Sequence, residues 1–475
     1  MTRGPYLQSG TPTSIIVRWR TSLPTQSEVH YGTNAANQNN FAIDSDLTSE
    51  HTLKVSGLSP DTRYYYSIVD AGVPLASGSD HFFVTAPSGA KPTRIWVLGD
   101  SGTAGSAAAA VRDAYTAFTG SRHTDLWLML GDNAYPIGTD ENYTAAVFDM
   151  YPDMLRKSVL WSTIGNHETY NGEAPLPYFS IFTLPTRAEA GGVPSGTENY
   201  YSFDYGNIHF VCLDAMTRDR TTTGPMASWL EQDLAANTNE WLIAFWHHPP
   251  YTKGSHDSDS EIELIEMRQN MLPILESYGV DLVLCGHSHS YERSFLLNGH
   301  YGYSSEIDDN PSLIRDSRSG RADESGPYVK SADATSNPGA VYVVAGSSGQ
   351  TSGGTLDHPA MFFSVSELGS LVLDINNDRL DAQFLESTGM VSDHFSILKG
   401  NDFRITSFRV QPNAVTLSWR SESGRTYYVD YKPSLTNTTW APVSGGIVAQ
   451  GSQASWTGLR PAGTSGFYRI VRLGN

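Results

Sequence analysis

No stretch of the 475 residues approaches the roughly 18 consecutive apolar residues of a membrane span, which excludes a helix crossing a bilayer. Basic residues are outnumbered, 31 against 50 acidic, for a formal net charge of −19. Such a balance repels nucleic-acid backbones and argues against a role built on binding them. It also requires that an anionic substrate be drawn by something local and positive, which bound metal cations would supply. Only two cysteines occur, Cys212 and Cys285, each inside an apolar run. They read as small buried hydrophobes, and so few leave both their pairing and the redox compartment open. Met1-Thr2-Arg3-Gly4 leads straight into a strand-like pattern with no apolar leader segment. Lysine is sparse, while Tyr, Thr, Ser, Asn and Gly abound, as in exported proteins. Met1 is therefore expected to follow a removed export signal, with the protein secreted or periplasmic.

Hydrophobic residues make up 39% of the chain, enough for packed cores, and the length exceeds one ordinary core, so two or three domains are expected. Residues 1–88 alternate and turn like a β-sandwich. Ser14-Ile15-Ile16-Val17-Arg18-Trp19-Arg20 is a strand pattern with Trp19 facing inward, followed by Glu28–Tyr31 and Arg63–Val69. Gly57-Leu58-Ser59-Pro60-Asp61-Thr62-Arg63-Tyr64 resembles the E–F turn of fibronectin type III domains, in which a Leu plugs the core and a Tyr starts the next strand. The same grammar returns over 402–475, in Ala414–Arg420, Tyr428–Tyr431 and Gly466–Ile470, which predicts a second, divergent sandwich. Two such modules at the chain ends are accessory domains rather than a solenoid, which needs more repeats.

Residues 91–400 differ. Apolar runs of four to seven residues alternate with helical periodicity, the pattern of an α/β core with buried strands. Arg112–Phe118 and Glu261–Tyr278 read as helices, and the polar stretch Ser304–Asp333 as a long surface excursion. Five of the runs end in short motifs rich in donor groups: Gly99-Asp100-Ser101-Gly102, Gly131-Asp132-Asn133-Ala134-Tyr135, Gly165-Asn166-His167-Glu168, Trp246-His247-His248-Pro249 and Gly286-His287-Ser288-His289. In open α/β sheets ligands bind beyond the carboxyl ends of strands. One Gly-Asp turn says little; five successive strand ends carrying carboxylate, amide and imidazole groups predict one crevice that holds metal. Two cations a few ångströms apart need a shared anionic bridge, and Asp132 fits that part.

Together with Ser290-Tyr291-Glu292-Arg293, this motif set resembles the purple acid phosphatases, a branch of the calcineurin-like metallophosphoesterases. The resemblance covers the central domain and the N-terminal sandwich of the plant-type members; the C-terminal sandwich lies outside it. It implies an α/β fold of four layers, two mixed β-sheets flanked by helices, with all-β sandwiches at both termini. Generic metallophosphoesterases place a His two residues after the first Asp, where this chain has Gly102; the missing donor returns as Tyr135. A phenolate is a hard anionic ligand that suits a trivalent ion. The resemblance thus implies Fe(III) held by Asp100, Asp132, Tyr135 and His289, and a divalent ion (Zn, Mn or Fe) held by Asp132, Asn166, His247 and His287. It further implies substrate contacts from His167 and His256, although plant-type enzymes carry two adjacent histidines where this chain has His256-Asp257.

The activity so implied is acid hydrolysis of phosphate monoesters of small substrates by metal-bound hydroxide, without a phosphoenzyme. A phosphodiesterase, nucleotidase or phytase on the same core is the alternative, and a non-catalytic secreted binding protein a weaker one, since all seven ligand positions are filled. His248 is expected to pack rather than ligate, and Glu168, Tyr291, Glu292 and Arg293 to orient ligands. His30, His123, His209, His300, His358 and His394 join no such constellation.

Overall fold

The computed structural model describes residues 1–330, 339–400, 405–421, 423–434, 436–451, 453–461 and 466–473. They fall into two compact units, Met1–Tyr328 with Asn337–Ser396, and Val329–Ser336 with Ile397–Asn475. The first unit contains both the N-terminal sandwich and the central layers.

In the N-terminal sandwich two long strands, Ser14–Gly32 and Asn40–Ser56, pair antiparallel along most of their length. The first half of the former also pairs with Arg3–Gln8, and the second half with Arg63–Asp70. Trp19 is buried, its ring stacked 4.5 Å from that of His51. The Tyr64 hydroxyl accepts from the Ser59 amide at 3.0 Å and so closes the turn that precedes its strand. The sandwich is keyed to the central layers by buried polar contacts: Gln8 Nε2 donates to the Leu160 carbonyl at 3.0 Å, and the Tyr6 hydroxyl to the Ile181 carbonyl at 2.8 Å.

The central region is built on two mixed sheets. One carries, in order, Tyr201–Tyr205, Ile208–Cys212, Trp241–Trp246, Leu282–Cys285, Val341–Ala345, Tyr291–Ser294 and Met361–Val365. The other runs from Tyr328–Lys330 through Val391–Lys399, Arg379–Glu386, Gly369–Asn376, Thr93–Leu98 and Leu126–Met129 to Val159–Ser162. Thr93–Leu98, Leu126–Met129 and Val159–Ser162 are parallel, as are Ile208–Cys212, Trp241–Trp246, Leu282–Cys285 and Val341–Ala345. Every residue of these strands is buried, which is why they read as continuous apolar runs instead of alternating ones. Helix Ser106–Thr119 covers the second sheet, and helices Pro225–Ala236 and Leu272–Ser277 cover the first. The four-layer α/β fold is as the motif pattern implies.

The helix predicted over 261–278 is interrupted. Ile262–Glu266 is α-helical, Met267–Met271 makes a π turn, and the α-helix resumes over Leu272–Ser277. Pro273 explains the break: it has no N–H for the ladder, and its ring displaces the preceding turn. The excursion over 304–333 contains a helical turn at Glu306–Asp309 and a short strand, Ile314–Asp316, paired with Leu296–Leu297; residues 331–333 lie outside the described residues. Cys212 and Cys285 are buried free thiols on strands separated by Trp241–Trp246.

In the C-terminal unit, Ala414–Arg420 lies between Ile405–Val410 and Gln453–Leu459, and Thr426–Lys432 pairs with Phe467–Arg472. Its small core gathers Val415, Leu417, Trp419, Tyr427 and Val429.

Candidate metal centre

Each of the five motifs follows the carboxyl end of a parallel strand, and the two sheets bring those ends together. The approach is close enough to demand glycine: a Cβ on Gly99 would meet the Ala345 carbonyl oxygen at 2.4 Å, and one on Gly165 would meet Asp132 Oδ1 at 2.2 Å. The turns that leave the strands are tight. Asp100, Asp132 and His287 all adopt left-handed backbone, with φ of 55°, 51° and 69°. Non-glycine residues hold that conformation at a cost and concentrate at functional sites.

The side chains gather into two clusters. In one, the Tyr135 hydroxyl lies 3.2 Å from Asp100 Oδ1, 3.0 Å from Asp132 Oδ2 and 3.2 Å from His289 Nε2. In the other, Asn166 Oδ1 lies 2.9 Å from His247 Nε2 and 3.0 Å from His287 Nδ1, and the two imidazole nitrogens are 3.2 Å apart. Asp132 belongs to both, because its other oxygen, Oδ1, is 3.5 Å from His247 Nε2. All seven residues singled out as ligands therefore converge.

The outer atoms of the imidazoles fix which nitrogen faces inward. His247 Nδ1 donates to the Leu130 carbonyl at 2.8 Å, His287 Nε2 contacts Glu261 Oε2 at 3.2 Å, and His289 Nδ1 contacts Ser352 Oγ at 3.0 Å. Tethering the far nitrogen is the usual way a protein aims an imidazole lone pair at a metal. Burial holds His247, His287 and His289 neutral, down to about 3, about 4 and about 4. Burial, reinforced by Asp132, pushes the Asp100 carboxyl well above the usual range; burial, then Asp100 and Asp132, raises the Tyr135 phenol. Acidic oxygens and neutral imidazoles buried side by side form a donor set whose charge only cations would balance. The residues fit two cations bridged by Asp132.

Gly102, where a histidine would stand in generic relatives, has no room for one. A Cβ there would lie 2.4 Å from the Ala134 nitrogen, while the Gly102 carbonyl accepts from the Tyr135 amide at 2.8 Å. The loop that excludes a side chain at 102 is the loop that delivers Tyr135.

The calcineurin-like phosphoesterase family model matches residues 93–291, and that of the purple acid phosphatase N-terminal domain matches residues 3–86. The chain belongs to the purple acid phosphatase family. It is thereby a hydrolase of phosphate esters. Purple acid phosphatase 23 of Arabidopsis thaliana is 29% identical over 360 residues, which cover 63% of this chain and 75% of that protein. Purple acid phosphatase 15 of the same plant is 31% identical over 277 residues, 51% of this chain and only 49% of the relative. The structure of purple acid phosphatase PPD1 from yellow lupin (Lupinus luteus) seeds superimposes with a TM-score of 0.64 at 18% identity, over 83% of this chain and 74% of that one, a likeness of fold.

Around this purple acid phosphatase centre the structure also places the other residues singled out. The His167 amide donates to Asp132 Oδ1 at 2.9 Å; its ring Nδ1 donates to the Pro136 carbonyl at 2.6 Å, leaving Nε2 3.9 Å from Asp132 Oδ2. The His256 ring lies 3.7 Å from that of His287, its Nδ1 2.9 Å from Glu261 Oε1. Asp257, which replaces the second histidine of plant-type enzymes, is drawn off to Lys253 Nζ at 2.8 Å. His248 packs against His247 and His287. Glu168 is buried and accepts from the amides of Asp132, Asn133 and Gly165 at 3.0, 2.7 and 2.6 Å, which fixes the turns that carry Asp132 and Asn166; burial and Asp132 raise its carboxyl to about 8.

Tyr291 and Arg293 depart from the expectation that they orient ligands. The Tyr291 hydroxyl and the Arg293 guanidinium bind Asp393, at 2.9 and 2.6 Å, the latter a buried ion pair that ties this strand of one sheet to Val391–Lys399 of the other. Glu292 points the other way and accepts from Thr252 and Ser290 at 2.5 and 2.9 Å, holding the loop that leads to His256. Sequence reasoning missed Glu261, which joins His256 to His287. It also missed Ser352 and Gln350, which bracket His289, Gln350 with its Nε2 3.3 Å from His289 Nε2. Both follow Val341–Ala345, a parallel strand next to Leu282–Cys285 that carries none of the five motifs.

Proposed function

We propose that the chain hydrolyses phosphate monoesters of small substrates at a two-cation centre, with Asp132 as the bridge. The observation that carries this is the division of the Asp132 carboxylate between two otherwise separate donor clusters, one containing Tyr135 and His289, the other Asn166, His247 and His287. Asp100, Asp132, Tyr135 and His289 would hold a trivalent ion, Fe(III) on the hardness of the phenolate, and Asp132, Asn166, His247 and His287 a divalent one. When bound, the cations supply Lewis-acid polarisation of the phosphoryl group and acidify a water at neutral or lower pH.

The chain's own residues do the rest. His167 is anchored through Nδ1–H on Pro136, so a proton on Nε2 faces the position where an ester oxygen departs. As the bond from phosphorus to that oxygen breaks, His167 gives it the proton, and water supplies the replacing oxygen. His256, held by Glu261 through Nδ1, presents Nε2, which has no hydrogen-bond partner among the described residues, to a phosphoryl oxygen on the side of His287. No helix among the described residues is long and apolar enough to cross a membrane.

Rates on 4-nitrophenyl phosphate and on bis(4-nitrophenyl) phosphate, measured on metal-loaded protein, test the assignment. A faster monoester is expected; a faster diester would replace it with a phosphodiesterase.

A further inference from the structure

Tyr170 stands beside the centre, next to the proposed ligand Asn166. Its side chain is 55% exposed, yet it is held in place. The hydroxyl accepts from Asn166 Nδ2 at 2.8 Å, and the ring lies 4.8 Å from that of His167, which in turn lies 4.3 Å from that of Tyr135. The three rings, tilted 56° and 58° to one another, make a stepped shelf that starts at the cluster and ends in solvent. An ester oxygen within hydrogen-bond reach of His167 Nε2 leaves the organic part of the substrate at the outer end of that shelf, where Tyr170 is.

We propose that Tyr170 is a specificity-determining residue, selecting phosphate monoesters whose leaving group is a flat aromatic ring. The inference deepens the monoesterase assignment and rests on it for the direction in which the leaving group points. A tyrosine ring already fixed by two contacts offers apolar area without further ordering, and ring-on-ring packing adds to the area it covers. The phosphoryl group itself meets the cations, His167 and His256, so a ligand with no ring gains nothing from Tyr170.

Titration calorimetry of metal-loaded protein with phenylphosphonate and methylphosphonate tests this, since both carry the same anionic group on a P–C bond that the reaction does not cleave. Tyr170→Ala should weaken phenylphosphonate about fivefold to tenfold, the scale of one aromatic pair, and methylphosphonate less than about twofold. Tyr170→Phe, which drops the hydroxyl and keeps the ring, should retain the wild-type discrimination. In turnover, Tyr170→Ala should raise KM for phenyl phosphate relative to glycerol 2-phosphate, with kcat moving little for either. Equal weakening of both phosphonates, or of neither, overturns the shelf. Selective binding of phenylphosphonate by a wild-type protein that turns over no monoester upholds the shelf and overturns the monoesterase assignment alone.

Discussion

The Tyr135 hydroxyl sits 3.0 Å from Asp132 Oδ2, three positions back along the same turn. Asp132 is forced into left-handed backbone there, and that twist throws its carboxylate between the sheets while the chain continues to the phenol. A single strained turn thus carries both the carboxylate proposed as the shared anion and the phenol proposed as the distinguishing ligand.

Asp132→Asn should disable both cation positions at once. An amide keeps the shape and most of the hydrogen bonds but loses the negative charge that two cations must share. Metal analysis after dialysis should show both ions lost, and phosphatase activity should fall by roughly 10²–10³ or more, the scale of removing one preorganised charge-stabilising group. Circular dichroism should be unchanged. Retention of both ions by the variant would remove Asp132 as the bridge.

Tyr135→Phe separates the identity of the first ion from the existence of the site. Iron-loaded wild-type protein should be violet from phenolate-to-iron(III) charge transfer, and the variant should be colourless at equal iron. Full loading with manganese or zinc, with activity and without a visible band, would refute the ferric assignment and leave the hydrolase intact.

His167→Asn should lower kcat by roughly 10²–10⁴ for an alkyl phosphate, whose departing oxygen needs a proton. The loss should be much smaller for 4-nitrophenyl phosphate, whose phenolate leaves without one. Equal losses on both substrates would make His167 a phosphate-binding residue instead of the proton donor.

The strand ends were legible because buried parallel strands leave an unmistakable trace, a continuous apolar run stopped by Gly and a donor, as in Leu126–Leu130 before Gly131-Asp132. Glu261 was not legible, since an acidic residue before a helix looks like ordinary capping; only the fold folds it back under His256 and His287. Gln350 and Ser352 come some sixty positions after His289, in the segment that follows the strand Val341–Ala345, which reaches the site through sheet topology and not through any local pattern. Tyr291 and Arg293 misled by proximity to the last motif. They lie on the strand Tyr291–Ser294, where alternate side chains take opposite faces, so Glu292 meets the His256 loop while its two neighbours meet Asp393. His209 seemed solitary because its partners, Asp204 and Asp233, are supplied by a neighbouring strand and a distant helix.

That trio carries a pH-dependent contribution to stability. His209 Nδ1 lies 2.7 Å from Asp204 Oδ1 and Nε2 lies 2.8 Å from Asp233 Oδ2, in a buried site. Burial opposes the imidazolium, but the two carboxylates prevail and raise it from 6.5 to about 9. The folded protein therefore holds this proton more tightly than the unfolded chain. The stabilisation is complete below the unfolded value and is lost as pH rises through about 9; a shift of that size is worth about 3 kcal/mol. Urea denaturation of wild type and His209→Gln should show a gap that narrows by about that amount between roughly pH 6 and pH 10. A gap constant with pH would mean that His209 is buried neutral.

His300 works in the opposite sense. Its ring is fully buried, stacked 5.1 Å from Tyr251, and neither ring nitrogen has a hydrogen-bond partner among the described residues. Burial, with the nearby Arg268 guanidinium, lowers it from 6.5 to about 4. Here the unfolded chain binds the proton more tightly, so wild-type stability is lost as pH falls below the unfolded value and toward about 4. His300→Phe keeps a flat ring against Tyr251 and has nothing to protonate. It should match wild type within about 1 kcal/mol at pH 8 and exceed it by about 2 kcal/mol near pH 4, measured by urea midpoints at both values. Equal or lower stability of the variant in acid would show that the buried imidazole is charged without penalty, with Glu306 Oε2, 3.9 Å from its Nδ1, as the compensating partner.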